Sequence, residues 1–265
     1  MEEEYALTGS GKGDRMNKET KTGEMKMKLE EMISRRKSVR SYTGVPVENS
    51  VQEKIRGFME NVSALYPEIR FRYEIVARER IRSIMPWLPP QVIAIYSEEK
   101  EGYLENVGFV FQQLDLYLQS IGLGSCWVGL GKTADGKDRD GMGFVILLAF
   151  GYPKGDALRS GAGEFKRKSL AEISDRTDER LEPARLAPSS VNSQPWYFTH
   201  DGEKIHVYGA RKSLFSGLVL SDMNRIDIGI ALAHLYVSNP ETFRFSKENI
   251  TETEKGRSYI GSIRI

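Results

Sequence analysis

With 265 residues, 40% of them hydrophobic, the chain can bury a large core and suits one large domain or two small, closely packed ones. Its 38 basic and 37 acidic side chains leave a net charge of +1, which excludes a global field for nucleic acid or an anionic membrane and leaves charge arguments to local clusters. The single cysteine, Cys126, excludes an intrachain disulfide and a cysteine-rich zinc site and fits a reducing, cytoplasmic setting, while His200, His206 and His234 match no metal-ligand spacing.

Residues 1–23 are polar and aperiodic and read as a disordered arm, with no basic, apolar-cored leader. From about Glu24, the residues Met25, Met27, Leu29, Met32 and Ile33 recur at helical spacing as far as the cluster Arg35-Arg36-Lys37. Val51 to Val62 predicts a second helix, and Phe71 to Val76 and Pro90 to Tyr96 predict strands. Val107 to Ile121 is apolar nearly all round, as a helix buried in a core or an interface must be, and Gly122 stops it. The run Phe144 to Phe150 is far short of the ~20 residues that cross a bilayer as a helix, and reads as a core strand from Gly143 closed by Gly151-Tyr152-Pro153. A charged loop follows from Lys154 to Lys168. Trp196 to Thr199, a turn at Asp201-Gly202, and Ile205 to Tyr208 predict a hairpin. Ile226 to Val237 predicts another apolar helix, and Tyr259 to Ile265 a closing strand. Helices alternating with strands in this way predict an α+β sheet protein. Asn106-Val107-Gly108 and Asp227-Ile228-Gly229 each open an apolar helix, a similarity that suggests internal duplication into two halves split near 165–180.

Four segments carry chemistry. Arg36-Lys37-Ser38-Val39-Arg40 gathers cations and a hydroxyl suited to one phosphate and an adjoining polyol, although a solvated helix end would look the same. Gly122 to Gly129 (GLGSCWVG) allows close backbone approach beside the bulk of Trp127; its glycines follow a helix instead of linking strand to helix, so it is no dinucleotide fingerprint. Lys166-Arg167-Lys168 adds a basic patch. Ala187 to Trp196 (APSSVNSQPW) is a polar loop stiffened by two prolines that can set hydroxyls and amides along the edge of a planar heterocycle.

Together, and with Tyr42 and Val45-Pro46-Val47 after the first, these segments resemble the FMN-dependent nitroreductases. The resemblance implies an α+β fold with a central antiparallel sheet flanked by helices, and electron transfer from NADH or NADPH through FMN to a small acceptor such as a nitroaromatic or quinone. It assigns Arg36, Lys37, Ser38, Arg40 and Arg167 to the phosphate and polyol. It places Val128 and Gly129 at the ring's reactive nitrogen, and Pro188, Ser189, Ser190 and Asn192 along the ring edge and ribityl chain. In common members the Ala-Pro-Ser loop follows soon after the basic cluster, whereas here it follows the Gly-Tyr-Pro strand. One chain with two related halves can then supply both sides of a site usually shared between subunits, which favours a monomer with one FMN site over a homodimer. A flavin reductase, a dehalogenase-like activity and a non-catalytic flavin-binding protein stay open on the same scaffold. No catalytic acid or base and no metal ligands stand out, Cys126 reads as buried and inert, and neither a nucleic-acid nor a membrane partner is expected.

Overall fold

The computed structural model describes residues 23–25, 27–136, 138–210, 218–250 and 256–265. The arm expected over 1–23 lies outside the described residues apart from Gly23, which is helical. In chain order the elements are α1 (27–35), α2 (Asn49–Met59), β1 (Phe71–Ala77), β2 (Ile81–Ser83), β3 (Gln91–Ser97), α3 (Tyr103–Ser120), β4 (Gly124–Val128), β5 (Gly131–Thr133) and β6 (Gly143–Gly151). Then come α4 (Leu170–Ile173), α5 (Glu182–Leu186), β7 (Trp196–Asp201), β8 (Lys204–Ala210), α6 (Leu218–Ser238), β9 (Arg244–Ser246) and β10 (Arg257–Arg264).

The fold is mixed α+β, with the antiparallel strands divided between two four-stranded sheets, ordered β1-β3-β6-β4 and β7-β8-β10-β9. Counted along the chain, both run first, second, fourth, third, and each places its long helix between the second and third strands. β3 and β6 are apolar without alternation because both faces are covered. Ile93, Ile95, Ile146, Leu148 and Phe150 enter the main core, while Val92, Ala94, Tyr96, Leu147 and Ala149 enter a smaller core on the opposite face.

α3 packs on the first sheet, α6 on the second, and the two helices on each other. Their contact is close because it is made at glycines. A Cβ on Gly108 would stand 2.0 Å from the Ile226 carbonyl oxygen, and one on Gly229 would stand 2.0 Å from that of Glu105. Only a residue without a side chain lets two backbones meet in this way. Every residue of α3 from Leu104 to Gln119 is buried, which accounts for its all-round apolar character and makes its polar residues depend on internal partners. No helix among the described residues is long and apolar enough to cross a membrane.

Several short elements were not foreseen in the sequence. Gly124–Val128, within the glycine-rich segment after α3, is the edge strand β4, and the short β2–β5 pair, α4, α5 and β9 are likewise new.

Candidate functional site

The segment after α1 runs along the edge of β4. Ser38 bridges Ser125 in parallel, the Val39 N–H donates to the Ser125 carbonyl at 2.9 Å, and Tyr42 donates its hydroxyl to the Val39 carbonyl at 2.8 Å. This seats Ser38 and Arg40 beside Cys126 and Trp127. Across from them lies the 187–195 loop, in which Val191, Asn192 and Gln194 all adopt left-handed backbone (φ 46°, 57° and 48°). Three such non-glycine residues, one of them β-branched, persist only where their surroundings over-determine them.

Those surroundings come largely from residues 166–168. Arg167 donates to the Ala187 carbonyl at 3.0 Å and to Asn192 Oδ1 at 2.6 Å, and the Lys168 ammonium donates to the carbonyls of Ser193 and Gln194. The Lys168 N–H donates to Gln194 Oε1 at 2.7 Å, and the Gln194 N–H to Ser189 Oγ at 2.9 Å. From α6, Asp227 Oδ2 accepts the Ser190 N–H at 3.0 Å.

Between these walls opens a cavity of about 150 Å³, lined by Ser38 and Arg40, by Cys126, Trp127 and Gly129, by Ile146 of β6, by Pro188 to Val191, and by Met223, Ile226, Asp227 and Ile230 of α6. Met223 reaches across it: its Sδ accepts the Ser190 hydroxyl at 3.2 Å, and its Cε would sit 2.0 Å from a Cβ on Gly129. Arg40 also lies over the Trp87 ring, 5.8 Å from its centroid.

Of the residues singled out in the sequence, Ser38, Arg40, Gly129, Pro188, Ser189 and Ser190 meet at this cavity. The other five do not line it. Arg36 is buried and its guanidinium Nε donates to Asp115 Oδ2 at 2.9 Å, with Nη2 3.4 Å from Ser38 Oγ. Lys37 donates its backbone N–H to Gln119. Val128 is packed in the smaller core, and Arg167 and Asn192 bond each other behind the loop.

Asp115 also accepts from Ser125 Oγ (2.6 Å) and Gln112 Nε2 (3.0 Å), and Gln112 Oε1 accepts the Trp127 indole N–H (3.1 Å). The buried network thus ties Trp127 and Ser38, two cavity residues, to one carboxylate. His234 closes it, bonded to Gln112 and to the Pro183 carbonyl. Burial, reinforced by Arg36, pushes its imidazole down to about 3, so it is neutral.

Arg36, Arg159 and Arg167 crowd one another at this end of the molecule. Burial, Arg36 and Arg159 push Arg167 down to about 10, and burial and then Arg36 lower Arg159. The Arg159 Nε is buried without a hydrogen-bond partner, and both Arg159 and Arg167 lie over Phe165. Cations that repel one another while a buried donor stays unsatisfied make a suitable setting for an anion.

Sequence reasoning missed Trp127's partners, Arg159, and the whole contribution of α6. Asp227 had one signal, an acid in an otherwise apolar run. Burial pushes its carboxyl up to about 8 in spite of the Ser190 N–H. Cys126 is buried, which raises its thiol, yet it lines the cavity.

A family model described as "Putative TM nitroreductase" matches residues 28–239. Among solved structures, the chain is similar to a protein of Thermotoga maritima MSB8 described as a "putative nitroreductase", with 19% identity over 90% of this chain and 91% of that one and a TM-score of 0.58. That likeness is one of fold. It is also similar to a nitroreductase-described protein of Exiguobacterium sibiricum 255-15 solved with FMN (16% identity, 54% of this chain, 93% of that one, TM-score 0.42). A further similarity is to an FMN-dependent nitroreductase of Clostridium difficile R20291 (17%, 52%, 93%, TM-score 0.40). None of the curated proteins compared with the chain matches it.

Proposed function

The chain belongs to this nitroreductase family, and from that premise we propose that it is an FMN-dependent oxidoreductase that takes electrons from NADH or NADPH and passes them to a small acceptor such as a nitroaromatic or a quinone. The observation that carries this reading is the cavity that brings Pro188, Ser189 and Ser190 opposite Gly129, Ser38 and Arg40.

The residues present fit the cofactor. Hydroxyls at Ser38, Ser189 and Ser190 suit a polyol and a ring edge, Trp127, Ile146, Ile226 and Ile230 supply apolar contact, and Gly129 presents bare backbone that Met223 now covers. Arg40 is the cation that lines the cavity and suits the phosphate; Arg167 is held by the Ala187 carbonyl and Asn192, and the unsatisfied Arg159 Nε beside it is a further donor that a phosphate could satisfy. When bound, FMN would supply the hydride and electron chemistry. The chain's own part is to hold the ligand, exclude water and fix the loop's donors. Met223 narrows the cavity over Gly129, and its flexible thioether chain can turn aside at little cost to admit a ring.

We infer further that a monomer suffices and that the two sheets with their helices are duplicated halves. What supports this is their common strand order, and a cavity with Ser38, Arg40 and Gly129 on one side and Ser190 and Asp227 on the other, all from one chain.

The test is the visible spectrum of the purified protein after FMN addition and dialysis, then NADH or NADPH without oxygen. One retained flavin per chain that bleaches with either nucleotide is expected. A protein that retains no flavin refutes the reading.

A further inference from the structure

Asp227 sits where a carboxylate is poorly served. It is 4% exposed, it lines the cavity beside Ile226 and Ile230, and its bond is to the Ser190 N–H. Among the described residues no lysine, arginine or histidine pairs with it. One backbone donor does not compensate a full charge in an apolar wall.

The first half of the molecule has a corresponding residue. Asn106 stands two residues before Gly108 in α3, as Asp227 stands two before Gly229 in α6, and its Oδ1 accepts the Tyr66 N–H at 2.9 Å. Holding the loop therefore needs only an amide oxygen. Asn106 lines no such cavity: the Tyr66 that it holds packs on Gly102 and meets Phe245 edge-to-face at 5.3 Å, and the Asn106 Nδ2 is buried without a partner. Beside Asp227 a cavity opens, and there the amide is replaced by an acid.

We propose that Asp227 is the cavity's hydrogen-bond donor: Oδ2 keeps the Ser190 N–H, and a protonated Oδ1 is offered to a carbonyl or nitro oxygen of the bound ligand. The oxygen can belong to the cofactor's ring or to the acceptor, and to that extent the inference rests on the flavoprotein reading. Burial that holds the carboxyl up near 8 agrees with this geometry. The other titratable or charged groups facing it are Arg40 and, from β4, Cys126, whose thiol burial keeps neutral. Asp222 and Arg225 lie on α6 itself, the latter tied to Glu105 of α3.

Asp227→Asn supplies the test, because an amide can accept from Ser190 and donate to the ligand without titrating. FMN affinity for the FMN-free protein, and duroquinone affinity for the oxidised FMN-loaded protein, are measured from about pH 6 to about pH 10. In the natural protein one of the two affinities should fall, approaching about tenfold per pH unit above the carboxyl's titration, while Asp227→Asn stays flat. A slope with FMN assigns the ring as partner; a slope with duroquinone alone assigns the acceptor. Binding that is flat in the natural protein, or that falls equally in both proteins, overturns the proposal. If FMN binds neither protein at any pH, the flavoprotein reading fails, and infrared titration of the unliganded chain decides the rest. A carboxylic-acid band that vanishes on raising the pH and is missing from Asp227→Asn upholds a neutral Asp227, and its absence overturns it.

Discussion

Arg36→Met separates two roles for the residue that the sequence placed first in the phosphate clamp. In the structure its guanidinium meets Asp115 at 2.9 Å with both side chains almost wholly buried (2% and 0% exposed). At an effective dielectric constant of ~20 that contact corresponds to about 6 kcal/mol of attraction, most of it offset by desolvation. Removing one partner alone leaves a buried charge, which costs about 3–5 kcal/mol. Asp115 keeps the hydrogen bonds from Ser125 and Gln112, so Arg36→Met should fall near the lower end, about 3 kcal/mol. The double variant Arg36→Met/Asp115→Leu should recover part of that loss, and a urea-unfolding cycle of wild type, both singles and the double gives the coupling directly. FMN affinity, measured well below the unfolding midpoint, should drop only modestly in Arg36→Met. A variant that keeps its stability within about 0.5 kcal/mol yet loses FMN binding would show that Arg36 acts on the ligand and not on Asp115.

Alanine at Gly108 or Gly229 presses a methyl group on a backbone carbonyl and should force α3 and α6 apart, costing at least about 3 kcal/mol in chemical unfolding, whereas Gly129→Ala meets only the mobile end of Met223 and should leave stability within about 1 kcal/mol while weakening FMN binding. Met223→Ala should do the reverse and tighten FMN binding in the same titration. Asp227 contributes in the opposite sense to an ordinary carboxylate: with its folded value raised, its stabilisation is complete below the unfolded value near 4 and is lost as pH rises through about 8. Asp227→Asn should therefore gain on the wild type over that window, by about 4 kcal/mol near neutral pH as an upper bound, and equal stability at all pH values would refute it. His234 is depressed, so its contribution is present above the unfolded value near 6.5 and is lost as pH falls towards about 3. Its imidazole resonances should not titrate down to about pH 4, with Nδ1 carrying the proton to the Pro183 carbonyl.

The elements legible in the sequence were those whose cause is local. Alternation around Trp196 and Ile205, and the continuous apolar runs of α3, α6, Val92 to Tyr96 and Gly143 to Phe150 with turn residues at their ends, are all local signals. β4 was not legible because its five residues become a strand by pairing with β6, and Gly124 at its start mimics a turn. The cavity shows the same divide. Ser38, Gly129 and Pro188 to Ser190 were recognisable by type, but Arg36 was claimed by an acid 79 residues away, and Arg167 by the loop that it was expected to work beside. Short-range pattern supplies the groups; only long-range pairing decides which of them are already spent.

That division bears on how the cavity is held open. Its walls come from opposite halves of the chain, and the halves meet where α3 and α6 touch through Gly108 and Gly229. Asp227 lies on that same helix turn, one hydrogen bond from the strained loop at Ser190 to Gln194. A shift of α6 away from α3 would therefore withdraw Met223 from Gly129 and widen the cavity between the two walls. Ligand affinity and the stability of the helix crossing should thus change together in variants of the two crossing glycines, while variants at Gly129 or Met223 should change affinity alone.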